Sequence, residues 1–83
     1  MMEEKIKSDC NNTIGKNIRR IRKARGIGQT ELVSRLHLIG IKITRESLVK
    51  IERGIQHIQL EQLKGIREIL CVKYEDILDS EED

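Results

Sequence analysis

The sequence predicts an all-α fold, a compact bundle of about five helices, on three observations. The 83-residue chain contains no Pro. Its apolar residues recur at helical spacing over most of its length, the pattern of helices with one buried face. Its apolar inventory is aliphatic, with 14 Ile, 8 Leu and 3 Val against one aromatic, Tyr74. A chain this long forms one small domain that buries roughly 60 to 65 per cent of its unfolded surface, so every aliphatic residue must be well used.

Residues 1–12 read as a flexible N-terminal arm, with no apolar run long enough for a signal peptide; no later stretch is long enough for a membrane span. The first helix has Asn12 or Thr13 ahead as its cap, Ile14, Ile18 and Ile21 at i, i+4 and i+7, and Gly26 as its stop. Its opposite face carries Lys16, Arg19, Arg20 and Lys23. A second, short helix begins near Gly28 or Gln29 and turns Leu32, Val33 and Leu36 to one side. In residues 37–43, HLIGIKI, Ile39, Ile41 and Ile43 alternate with Gly40 and Lys42. That is a strand pattern, but a lone strand lacks a partner, so an extended, partly buried turn is expected.

The third helix opens at Thr44, a good N-cap, points Leu48 and Ile51 inward and stops at Gly54. Glu46, Lys50 and Arg53 form its outward arc at i, i+4 and i+7. The fourth, from about Gln59 to Cys71, presents Leu60, Leu63, Ile66, Ile69 and Leu70. Gly65 in its middle costs about 1 kcal/mol against Ala and is expected to admit a close helix contact. Cys71, within Ile69-Leu70-Cys71-Val72, reads as a buried small hydrophobe. A fifth short turn, Tyr74 to Leu78, completes a domain over 13–78, and the acidic tail 79–83 is expected to be disordered.

The formal net charge of +2 conceals a division. Residues 1–10 carry 2 basic and 3 acidic groups, residues 11–54 carry 11 and 3, and residues 55–83 carry 3 and 8. A strongly cationic half joined to an acidic half fits one face made for a polyanion and another turned away from it. Charge alone fits a solvated surface equally well. The lack of aromatics counts against the stacking platforms of single-strand binders. Cys10 and Cys71 lack CxxC spacing, and His37 and His57 have no ligand-type neighbours at metal spacing, so neither a metal nor a cofactor is expected. No small-molecule effector is evident, no nucleophile arrangement suggests an enzyme, and a soluble cytoplasmic protein is expected.

Two short helices followed by a third with a polar outer face form the arrangement that places a helix in a DNA major groove. The runs GKNIRRIRKARGIGQTELVSRL and TRESLVKIERG make the resemblance specific. Over about residues 14–78 the chain resembles the Cro and phage-repressor (XRE) helix-turn-helix family, in a variant with a long turn between helices 2 and 3. The words that carry it are Gly26 with Gln29 and Leu32, and Ile51-Glu52-Arg53-Gly54. Gly28 stands where the family usually has Ser or Thr, and Val33 where many members have Ala.

The resemblance implies a lambda-repressor-like DNA-binding domain and assigns roles at matching positions. Gln29 corresponds to a phosphate-binding Gln at a helix N-terminus. Thr44, Arg45, Glu46 and Lys50 are the base-reading candidates, with Arg45 suited to guanine O6 and N7 and Glu46 to cytosine N4. For Glu46 simple pairing with the helix dipole stands equal to base reading, and for Thr44 capping comes first. Ser47 and Arg53 are expected on the sugar-phosphate backbone, whereas solvation is the better account of Arg19, Arg20 and Lys23. Arg22 and Glu52 lie at the edges of their apolar stripes, and the resemblance implies a structural ion pair between them.

The leading expectation is a sequence-specific regulator of transcription, a repressor by preference, that occupies a double-stranded operator as a homodimer on two half-sites. The alternative is an antitoxin or other protein-partner module that keeps the helix-turn-helix as a scaffold.

Overall fold

The computed structural model describes residues 12–79, so most of the proposed arm, Cys10 and all but the first residue of the acidic tail lie outside the described residues. The described chain is all-helical: α1 (Thr13–Ala24), α2 (Gln29–Leu38), α3 (Arg45–Arg53), α4 (Leu60–Leu70) and α5 (Tyr74–Leu78). One core of Ile18, Ile21, Leu32, Leu36, Leu48, Ile51, Leu63, Ile66, Leu70 and Ile77, with Ile27, Val33 and Ile43 at its edge, joins them all. α3 packs on α1 and α2, α4 leans on the same two helices, and α5 packs on α1. No described helix is long and apolar enough to cross a membrane.

Caps set both ends of α3. Thr44 Oγ1 accepts from the Ser47 amide at 3.0 Å and starts α3. Gly54 ends it at φ 80°, a left-handed conformation that costs a side chain strain and glycine none. The turn after α2 is tied by His37, whose Nε2 donates to the Ile43 carbonyl at 2.7 Å. Residues 41–44 form neither helix nor strand, with Thr44 extended at φ −104° and ψ 163°, Ile43 buried and Ile41 half-buried. The close contact at Gly65 is present: a Cβ there would lie 2.8 Å from Leu36 Cδ2 and 2.9 Å from Ile41 Cγ1.

Two expectations for α4 need correction. Leu60 is 63% exposed, because as the first residue of the helix it lies off the arc that buries Leu63, Ile66 and Leu70. Gln62 takes the inward place, its Oε1 accepting from the Gln59 amide and its Nε2 donating to the Lys42 carbonyl. Cys71 is exposed rather than buried, since it follows the last helical residue and swings out at φ 57°. A left-handed non-glycine residue is strained by roughly 1 to 2 kcal/mol. Cys71→Gly is therefore expected to raise stability by about 1 kcal/mol, seen as a higher thermal midpoint, after glycine's greater unfolded-state entropy is set against that relief.

Two polar side chains, one on α1 and one just after its end, fasten the C-terminal elements. Asn17, buried, donates from Nδ2 to the carbonyls of Ile77 (2.8 Å) and Asp79 (2.9 Å), closing the end of α5. Arg25 Nε donates to the Leu70 carbonyl at 2.5 Å, satisfying the end of α4.

Candidate nucleic-acid interface

α3 is seated through Glu52. Its carboxylate is almost fully buried and accepts from Arg22 Nε at 2.8 Å and Arg22 Nη2 at 2.9 Å, a two-pronged pair. The remaining Arg22 nitrogen, Nη1, donates to the Ile27 carbonyl at 2.9 Å, so the guanidinium is committed to the interior on all sides. Gln29 Nε2 adds a third donor to the carboxylate, reaching Oε1 at 3.1 Å. The Glu52 backbone carbonyl accepts from Asn12 Nδ2 at 2.9 Å. One residue of α3 thus binds α1, the residue before α1, and the first turn of α2.

Backbone contact reinforces this seat. Gly15 of α1 faces the carbonyls of Ile51 and Glu52, and a Cβ at Gly15 would lie 2.8 Å from the latter and closer still to the former. At Gly15 the first helix meets the backbone of the last turn of the third, beside the Asn12 side chain.

The polar arc of α3 is turned out. Thr44, Arg45, Glu46, Lys50 and Arg53 are exposed and Ser47 is half-buried. Glu46 and Lys50 have the spacing of a helical ion pair, yet the i,i+4 pair formed among the described residues is Glu31 with Arg35, at 2.6 Å on α2. Arg45, Glu46, Lys50 and Arg53 have no side-chain partner among the described residues. Three cations and one carboxylate therefore stand in solvent on a helix whose inner side is locked.

The cations of α1 divide. Arg19 is exposed and follows Gly15, which faces α3, by one helical turn. Arg20 turns to the other side, donates to Asn17 Oδ1 at 3.1 Å, and shares a groove with Arg25, Glu75, Asp76 and Asp79. The acidic part of the chain thus meets α1 on the side away from α3.

At the start of α2, Gly28 is the N-cap and supplies no side-chain acceptor, which leaves first-turn amides directed outward. Gln29 sits there half-buried, with one amide N–H on Glu52. Its position joins the α2 N-terminus to the buried pair beneath α3.

Sequence reasoning passed over Asn12 as a cross-helix donor, Gly15 as a contact surface and Asn17 as a clasp. The signal was faint: Gly15 and Asn17 lie on the same helix as the Ile14, Ile18 and Ile21 stripe, interleaved with it, where a small or amide side chain marks a close or polar contact. No protein-family model, curated protein or solved structure matches this chain.

Proposed function

We propose that this chain is a sequence-specific double-stranded DNA-binding regulator, a repressor in the simplest case, that works by occupying an operator. The observation that supports this reading is the outward arc of α3, where Arg45, Glu46, Lys50 and Arg53 are exposed without partners while Glu52 on the inner side is held by Arg22 and Gln29. A helix of nine residues is about 13 Å long and, with its side chains, about 10 to 12 Å wide, dimensions that suit the major groove. Arg45 and Lys50 address base edges, Ser47 and Arg53 the backbone, and the amides at the start of α2 with the free N–H of Gln29 a neighbouring phosphate. Two copies on two half-sites about one helical turn apart supply the specificity that a single short helix lacks.

Selection of bound duplexes from a random pool tests the reading. A common, palindromic sequence is the expected result, with affinity falling steeply as salt rises. Arg45→Ala and Lys50→Ala are each expected to weaken binding to the selected duplex by about 1 to 3 kcal/mol and to relax the preference at one position. Equal binding of both variants and wild type to selected and random DNA would remove α3 from the interface.

A protein-partner role is the second reading, favoured by Leu38, Ile55 and Leu60, each more than 60% exposed. It predicts a stoichiometric protein complex and no duplex binding even at low salt.

A further inference from the structure

Val49 is half-buried on α3 and, unlike the half-buried Ile14, Ile41, Ile58, Ile69 and Val72, is not packed against the core. Its register accounts for this. Val49 lies four residues after Arg45, three after Glu46 and four before Arg53, within the outward arc, while Leu48, Ile51 and Glu52 turn to the interior. A β-branched residue is a weaker helix former than the Ala, Lys or Gln that suits a solvated helix face. Val49 therefore contributes neither to the core nor to helix propensity, and it is rimmed by charged side chains that have no partner among the described residues.

An aliphatic group in such a place has one complement on a base edge. The major groove presents hydrogen-bonding atoms at every base pair and a single apolar group, the 5-methyl of thymine. Resting on the reading of α3 as the helix that enters that groove, we propose that Val49 is a specificity-determining residue whose isopropyl group packs on a thymine methyl. Each half-site then carries a T·A pair beneath Val49, beside the positions read by Arg45 and Lys50. The contact distinguishes T from C, which lacks the methyl group, by shape alone.

Deoxyuridine substitution tests this, because it deletes the methyl and leaves every hydrogen-bonding group in place. The duplex selected by the wild-type chain is remade with deoxyuridine at each thymine in turn. Wild type is expected to lose about fourfold in affinity at one thymine of each half-site, the worth of one buried methyl. Val49→Ala is expected to lose a similar factor on the parent duplex and to be indifferent to deoxyuridine at that thymine alone. Ala is the better helix former and no core contact is lost, so the thermal melt of Val49→Ala should match or exceed wild type. A half-site without thymine, a wild type indifferent to every substitution, or a Val49→Ala chain as sensitive as wild type throughout overturns the role of Val49 and leaves operator binding standing. A wild type that selects no sequence removes both.

Discussion

Glu52→Ala and Arg22→Ala are each expected to lower the unfolding free energy by about 3 to 5 kcal/mol in urea melts, because each leaves the partner charge buried alone. The pair carries no surface character: the two side chains are 8% and 1% exposed. Glu52→Ala strips acceptors from Arg22 and from Gln29 together, and among the described residues the guanidinium keeps only its bond to the Ile27 carbonyl. Arg22→Ala leaves the carboxylate with the Gln29 amide as its one side-chain donor among the described residues. The double variant should cost less than the two single losses combined, since the second removal relieves the charge that the first stranded. A loss below about 1 kcal/mol in either single variant would place the pair in solvent and contradict its burial.

Gly15→Ala is expected to destabilise by about 2 to 3 kcal/mol, toward the upper end of the range for an over-packed contact. Ala is favoured over Gly within a helix by about 1 kcal/mol, so a gain is the expectation from propensity alone. The structure reverses the sign. Besides the Asn12 side chain, which can move, the new methyl meets the backbone carbonyl oxygens of Ile51 and Glu52, which cannot rotate aside as a flexible side chain does. α1 and α3 must separate, and the Arg22 and Glu52 contacts stretch with them. Gly65→Ala makes the comparison, since its neighbours are the movable ends of Leu36 and Ile41 and its net effect should be smaller.

The periodicities that locate α1 to α5 were open to reading because each helix has a local signal: an aliphatic stripe, a cap such as Thr44, or a stop such as Gly54. The inward turn of Arg22 and Glu52 was also legible, as each continues an apolar row by one step. Side chains whose partners lie far along the chain were not. Asn12 reaches the Glu52 carbonyl and Asn17 reaches Ile77, contacts that only the folded arrangement of helices creates. Leu60 was misplaced because the arc that buries Leu63, Ile66 and Leu70 does not reach it, and Cys71 for a different reason. A run of apolar residues at a helix end carries no sign of the residue at which the helix stops, and a one-residue shift there moves a side chain from core to solvent. In the candidate site, the exposure of Glu46, Lys50 and Arg53 followed from helical register, whereas the bond from Gln29 to Glu52 needed the packing of α2 against α3.

The claim on which the functional reading depends is that the outer face of α3 is the surface that meets DNA. A titration of the ¹⁵N-labelled chain with its selected duplex, followed residue by residue through backbone amide shifts, tests it most directly. The expected result is a contiguous set of large shifts over Thr44–Arg53 and the first turn of α2, with α4 and α5 outside any dimer contact little changed. Large shifts confined to α4 and α5, with α3 unmoved at saturation, would contradict it.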